Sequence, residues 1–125
     1  MTRGTIFRVL LVALLFVLAG FLYYNLSSPL AMGPEEAKAL LKDGKFDAVV
    51  DVRTDPEWGA GHYPLAIHIP LKQVTAELPK RIPDKVTKIL FYCNTSSRAR
   101  AASEQAVKLG YTNIRYLLGT HTNIM

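Results

Sequence analysis

Cysteine is almost absent from this sequence, because Cys93 is the only one among 125 residues. A single cysteine cannot form an intramolecular disulfide, which excludes a disulfide-stapled secreted scaffold. Metal-binding clusters are absent as well, since His62, His68 and His121 lack the spacing of a zinc site. There is no glycine-rich phosphate-binding loop and no internal repeat. We therefore expect a protein that works without a metal or other cofactor.

A large excess of charge of one sign is also missing from residues 33–125. That part holds 13 Lys and Arg against 10 Asp and Glu, because Arg3 and Arg8 are the only two of the fifteen basic residues upstream. The basic residues are scattered, so they do not predict a face that binds nucleic acid. The small positive excess mildly favours small anions as ligands.

Charge disappears entirely from residues 9–24, which read VLLVALLFVLAGFLYY. A membrane-spanning helix needs about 20 apolar residues, and flanking apolar residues bring this segment to residues 6–26. Tyr23 and Tyr24 suit a membrane interface. Residues 1–26 therefore predict a transmembrane helix that acts as a signal anchor, with the membrane contacted through residues 6–26.

A cleaved secretory signal is the alternative for this segment, because such signals also combine a basic start with an apolar middle. Small residues suited to a cleavage site are hard to find, and cleavage after Ala19 would leave FLYY at the new amino terminus. We therefore favour an uncleaved anchor. Arg3 and Arg8 place the amino terminus in the cytoplasm by the positive-inside rule. The remaining chain is then expected on the periplasmic or extracytoplasmic side, after a linker at residues 27–33.

Residues 34–125 predict one α/β domain, in which strands alternate with helices. Apolar runs predict strands at 46–52, 66–69, 88–92 and 113–118, and helices are predicted from residue 34 to Gly44, within 54–64, at 71–78 ahead of Pro79, and from Arg98 to Gly110. Such alternation produces right-handed strand–helix units and a mainly parallel sheet.

Cys93 lies where the predicted strand 88–92 gives way to the helix that begins near Arg98. The carboxyl ends of strands are where open α/β sheets place their ligand sites. A helix amino terminus and nearby cations favour the thiolate form of a cysteine, which is its nucleophilic form. The alternative is a small buried cysteine that packs as a hydrophobic residue. The polar loop at 94–97 and the neighbouring arginines favour the nucleophile.

Two motifs together resemble the rhodanese family. Residues 51–70, DVRTDPEWGAGHYPLAIHIP, are similar to the family's Asp-Val-Arg…Glu…Gly-His-x-Pro-x-Ala-x-x-Ile-Pro segment. Residues 92–98, YCNTSSR, are similar to its six-residue active-site loop, which begins with the catalytic cysteine. The resemblance covers residues 33–119. It implies an α/β, rhodanese-like fold with a mainly parallel central sheet flanked by helices, here preceded by one transmembrane helix.

The resemblance also implies a reaction, that of a sulfurtransferase of the thiosulfate:cyanide type. Cys93 would take the outer sulfur of a thiosulfate-like anion as a persulfide and pass it to cyanide or a thiol. Two further groups of residues would bind the substrate or support the site: Asn94, Thr95, Ser96, Ser97, Arg98 and Arg53 for binding, and Asp51, Glu57 and His62 as polar groups that hold loops. For Arg53, a structural ion pair at the strand end stays open as an equal alternative.

Other functions remain open. Cysteine phosphatases and arsenate reductases need Cys-x5-Arg, whereas Cys93 and Arg98 form Cys-x4-Arg and Arg100 lies one residue too far. The shorter loop suits a sulfane sulfur better than a phosphoryl group. The non-enzymatic alternative is a catalytically weak or inactive, membrane-tethered binding module with an inert Cys93.

Three substitutions and the carboxyl terminus depart from the family pattern. Ser96 and Leu65 stand where the family usually has glycine, and Thr120 replaces the second residue of a Gly-Gly pair. A serine at position 96 is expected to strain the loop if the backbone there has a positive φ. The expected last helix is replaced by HTNIM, which would uncover one face of the sheet. These departures favour a weaker enzyme.

Overall fold

The computed structural model describes residues 1–26 and 28–125, and for residues 24–26 the backbone alone. Its first element is a helix, α1, over Arg3–Leu26. The segment Arg3–Tyr23 of α1 is long and apolar enough to cross a membrane, and none of it is buried against the rest of the protein. A membrane anchor and a signal sequence share these properties, so α1 is a candidate for either.

Helices and strands alternate through the rest of the chain, as the sequence predicts. The elements are β1 (Ala31–Met32), α2 (Pro34–Lys42), β2 (Ala48–Asp51), α3 (Asp55–Gly59), β3 (Ile67–His68), α4 (Val74–Arg81), β4 (Ile89–Tyr92), α5 (Ser97–Lys108) and β5 (Ile114–Leu117), with 3₁₀ turns at Leu71–Gln73 and His121–Asn123. All five strands are parallel, in the order β1-β5-β4-β2-β3. The prediction of a parallel sheet flanked by helices is confirmed.

Alternating side chains of the central strands fill two apolar layers, one on each face of the sheet. Phe91 points into a layer closed by α4 and α5, where Ala99, Ala102 and Ala106 are fully buried. These three alanines occupy the helix face that the sequence predicts to be apolar. Their small side chains let α5 lie close to β4, so the loop between these elements is held firmly.

The second layer contains Leu90 and is covered by α2 and the carboxyl-terminal turn. Ala37 of α2 is fully buried there, and Ile124 is 5% exposed. The sequence predicts that the short carboxyl terminus leaves one face of the sheet uncovered, without indicating which face. Ile124 and the 3₁₀ turn beside it cover part of the face that carries this second layer.

Two local predictions are wrong. Residues 31–32, expected in the linker, form strand β1, because the backbone of Ala31 and Met32 pairs with Tyr116 and Leu117 at the sheet edge. The helix expected to stop before Pro79 runs on to Arg81. A proline removes one backbone hydrogen bond from a helix, and here that loss falls in the last turn, where burial of Leu78 holds the helix against the core.

Candidate active site

Cys93 directly follows β4, at the carboxyl edge of the sheet and between the ends of β5 and β2. Its side chain is fully buried. The backbone N–H of Ala99, in the first turn of α5, donates to Cys93 Sγ at 3.3 Å. The sulfur therefore lies at the amino terminus of a 12-residue helix, where the helix dipole favours negative charge.

The loop after Cys93 has unsatisfied backbone donors. Across the described ranges 1–26 and 28–125, no acceptor bonds any backbone N–H of residues 94–98. Five successive free N–H groups at a helix amino terminus favour binding of an anion. They are the main structural feature that the loop offers to a ligand.

Ser96 has the left-handed backbone conformation, with φ of +72°. No other residue except glycine has a positive φ in the described part of the chain. The serine hydroxyl accepts a hydrogen bond from the backbone N–H of Gly119 at 2.9 Å. This bond fixes the strained loop to the turn that follows β5.

Glu57 of α3 connects to both ends of the loop. Its carboxylate accepts two bonds from the guanidinium of Arg98, Nη1 to Oε1 at 2.6 Å and Nη2 to Oε2 at 2.9 Å, and a third from the side-chain amide of Asn94. The bonds from Arg98 are the main reason why the pKa of Glu57 is well below its usual range. The pKa of Arg98 is raised by the same pair.

Arg53 and Asp51 form a buried ion pair at the end of β2. Arg53 Nη2 lies 2.7 Å from Asp51 Oδ2, and the two side chains are 4% and 0% exposed. Tyr92 also donates to Asp51 Oδ2, at 2.6 Å, while Arg53 Nη1 reaches Asn94 Oδ1 at 3.4 Å. Two roles were open for Arg53, substrate binding and a structural ion pair. The structure shows the ion pair, and Asn94 connects it to the loop.

His62 lies between α3 and β3, in an aromatic stack. The ring of Trp58 stacks on those of His62 and His68, with ring centroids 3.5 Å and 4.7 Å away. The Nδ1 atom of His62 donates to the backbone oxygen of Trp58 at 3.0 Å, and Nε2 of His68 donates to that of Arg53 at 2.8 Å. These bonds hold the segment between β2 and β3.

Thr95 and Ser97 complete the predicted set, at the loop surface and at the start of α5. Their hydroxyl oxygens lie 3.5 Å apart. The structure thus brings Glu57 and the Arg53–Asp51 pair to the loop that runs from Cys93 to Arg98, whereas the hydrogen bond and ring contact of His62 join it to Trp58. Within the described ranges, no group of three His, Cys, Asp or Glu side chains is placed to hold a metal ion.

Several supporting residues were missed from the sequence. Thr54 caps α3 and Glu57 returns a bond to its backbone, a reciprocal capping box whose Thr-x-x-Glu spacing is visible in the sequence. The roles of Tyr92 and Gly119 leave no such local signal in the sequence. Tyr92 bonds to Asp51, 41 positions away, and Gly119 bonds to Ser96, 23 positions away.

A model of the rhodanese-like domain family matches residues 33–123. The chain belongs to the rhodanese-like family. The resemblance carried by the two motifs is thereby confirmed, and so is the fold that it implies.

Known rhodanese relatives include sulfurtransferases. Thiosulfate sulfurtransferase PspE of Escherichia coli K12 is 34% identical over 65 residues, which are 52% of this chain and 62% of PspE. The match thus spans less than two thirds of that relative. The human single-domain sulfurtransferase TSTD1 aligns with a TM-score of 0.68 and 26% identity, over 77% of this chain and 95% of its own. A structure of an E. coli rhodanese with anions aligns with a TM-score of 0.54 and 28% identity, over 62% and 89%.

Proposed function

We propose that this protein is a sulfurtransferase that carries a sulfane sulfur as a persulfide on Cys93. One observation carries the proposal: the buried thiol is followed by five backbone N–H groups that have no acceptor among the residues that the structure describes. Donors in this arrangement stabilise the negative charge that a persulfide or an anionic sulfur donor brings. The thiosulfate sulfurtransferase activity in the name of PspE supports the same chemistry here.

The reaction has two displacement steps. In the first, the Cys93 thiolate attacks the outer sulfur of thiosulfate, the sulfur–sulfur bond of the donor breaks, and sulfite leaves with the bonding electrons. In the second, cyanide or a thiolate attacks the outer sulfur of the Cys93 persulfide. The bond within the persulfide breaks, thiocyanate or an acceptor persulfide departs, and the Cys93 thiolate is regenerated.

Arg98 is the cation proposed to bind the sulfonate end of the donor. A guanidinium has five N–H donors in a planar fork, and Glu57 accepts from one on each terminal nitrogen. The remaining donors stay available to an anion, while the ion pair fixes the orientation of the group. The related E. coli rhodanese structure contains anions, which supports an anion as the class of ligand. The Cys-x4-Arg loop favours this small ligand over the phosphoryl group of a phosphatase.

A binding module is the second candidate, and the complete burial of Cys93 favours it. A buried thiol reacts only when the surrounding loop admits a reagent. In this alternative, Cys93 is a packing residue and the loop serves recognition alone.

We further propose that α1 is retained as a single-pass anchor and that the domain lies on the extracytoplasmic side of the membrane. Arg3 and Arg8, which precede the apolar segment, support this orientation by the positive-inside rule.

The test is incubation of the full chain, purified in detergent, with thiosulfate, followed by intact-protein mass spectrometry. We expect a gain of one sulfur atom on Cys93 that cyanide removes as thiocyanate. The Cys93→Ser variant should gain nothing. A folded wild-type chain that takes up no sulfur from thiosulfate or from an alkyl persulfide would overturn the enzyme and leave the binding module.

A further inference from the structure

A groove of about 380 Å³ lies at the amino ends of the central strands. Its lining contains an apolar group, Leu30, Met32, Leu40, Phe46 and Ile114, and a basic group, Lys45, Lys88 and Arg115. Cys93 lies at the opposite, carboxyl edge, so the groove is separate from the candidate active site.

The charge that lines the groove is positive. In the part of the chain that the structure describes, no carboxylate belongs to the lining. The nearest acid that the hydrogen bonds identify is Asp47, whose side chain accepts from the backbone N–H of Lys88. Among the described residues, the ammonium groups of Lys45 and Lys88 form no ion pair, and both residues are exposed. Exposed, unpaired cations beside an apolar floor match an anionic headgroup with its attached chains.

The groove is covalently close to α1. Leu30 lines it and lies four positions after Leu26, the last residue of α1, so three residues separate the two. Four residues span at most about 14 Å when fully extended. The backbone N–H of Ala31 bonds to the oxygen of Ser28 at 3.1 Å, which makes a turn and shortens this reach.

Arg115 joins the chain that leaves α1 to the groove. Its Nε donates to the oxygen of Leu30 at 3.2 Å, and its Nη2 donates to that of Ala31 at 3.0 Å. The guanidinium therefore holds the start of β1 against the lining. With α1 in a bilayer, these bonds keep the basic groove next to the lipid headgroups.

We propose that this groove binds the surface of an anionic phospholipid bilayer and thereby orients the domain. The proposal rests on insertion of α1 in the membrane and is independent of the sulfur chemistry. Because all strands are parallel, docking through their amino ends turns their carboxyl ends, and Cys93, away from the membrane. The ligands of the Cys93 loop are then molecules in solution, not lipids.

The test uses the full chain in lipid nanodiscs, in a Cys93→Ser background, with one fluorescent label and a nitroxide quencher on the lipid headgroups. Thr112→Cys places the label on the groove rim, and Asp55→Cys places it beyond the carboxyl end of β2, where the side chain is 87% exposed. We expect at least a twofold rise in quenching at position 112 when phosphatidylglycerol replaces phosphatidylcholine. No rise is expected at position 55.

Charge reversal at Lys45→Glu and Lys88→Glu should abolish this rise, and so should high salt, which screens exposed charges. The matched control reverses Lys80 and Lys108, which lie on α4 and α5 away from the groove. Lys45→Gln with Lys88→Gln serves as a second variant if the reversed pair does not fold. Equal quenching in both lipids, or a rise that survives neutralisation of both lysines, would overturn the proposal. Inorganic phosphate added to neutral nanodiscs serves as the last control. If it produces the same rise in quenching at position 112, the groove responds to free phosphate, and the proposal that its ligand is a lipid is wrong.

Discussion

The hydroxyl of Ser96 accepts a hydrogen bond from the backbone N–H of Gly119 at 2.9 Å. Both residues have a positive φ, +72° at Ser96 and +111° at Gly119. The φ of Gly119 favours glycine, and a Cβ there would lie 2.6 Å from Asn123 Oδ1, so a larger residue would also have to displace that side chain. Two conformationally demanding positions thus support each other, one in the Cys93 loop and one after the last strand.

Two substitutions of Ser96 should distinguish the cost of its left-handed backbone from the stabilisation by its hydrogen bond with Gly119. In Ser96→Ala the backbone stays in the costly left-handed conformation, and the N–H of Gly119 loses its acceptor. We therefore expect the free energy of unfolding to fall by about 1 kcal/mol. Ser96→Gly loses the same bond but removes a backbone cost of roughly 1–2 kcal/mol. Urea unfolding of the full chain in detergent measures both variants. Equal stability of the alanine and glycine variants would contradict strain at position 96.

Neutralisation of Glu57 should slow sulfur uptake without removing the nucleophile. In Glu57→Gln, Arg98 loses its two charged bonds and with them a fixed orientation toward the donor. Misplacement of a binding group by about 1 Å can cost roughly a hundredfold in rate, so we expect a drop of about tenfold to a hundredfold in persulfide formation from thiosulfate. Glu77→Gln is the matched control, because the one ion pair of Glu77 within the described residues is with exposed Lys80, at 3.7 Å. Unchanged kinetics in Glu57→Gln would exclude a positioning role for this carboxylate.

The same carboxylate should make stability depend on pH. The Arg98 ion pair lowers the pKa of Glu57 in the folded state, so the pair contributes fully above the pKa of an unfolded glutamate, about 4.3. Its contribution is lost as the pH falls from there toward the folded pKa. We expect the difference in unfolding free energy between wild type and Glu57→Gln to be constant above about pH 5.5 and to shrink below about pH 4.3. A difference that stays constant down to pH 3 would show that the pKa of Glu57 is not lowered by folding.

The Tyr92 hydroxyl should stabilise the site more than an ordinary buried hydroxyl does. It donates to Asp51 Oδ2 at 2.6 Å and accepts from the N–H of Tyr63 at 3.0 Å. Hydrogen bonds to charged groups contribute about 1.5–3 kcal/mol, against about 1 kcal/mol for neutral ones. Tyr92→Phe should therefore cost about 2–3 kcal/mol in denaturant unfolding. Tyr111→Phe, whose hydroxyl donates to the neutral oxygen of Ile82, should cost less, and a reversed order would contradict this reasoning.

Sequence patterns predicted the elements whose signal is local. The apolar run before Cys93, the polar loop after it and Gly110 at the helix end placed β4, the loop and α5 within one or two residues. Gly110 indeed has a positive φ of +98° just after α5. These features depend on hydrophobicity and backbone conformation, which a short segment determines by itself.

Features that depend on distant partners could not be predicted. Ala31 and Met32 form a strand only because β5 offers an edge, and nothing in their two side chains indicates it. Glu57 and Arg98 form an ion pair although they lie 41 positions apart in the sequence. Residue type alone therefore indicated a polar supporting role for Glu57 but not the partner that it holds.

Both edges of the sheet are short strands, since β1 and β3 contain two residues each. Unpaired backbone groups on a long edge invite pairing with a neighbouring chain. Proteins anchored in one membrane move in two dimensions and meet their own copies often. With α1 retained in a membrane, as proposed above, an edge that offers so few free hydrogen-bonding groups allows many copies to share that surface without joining into a continuous sheet.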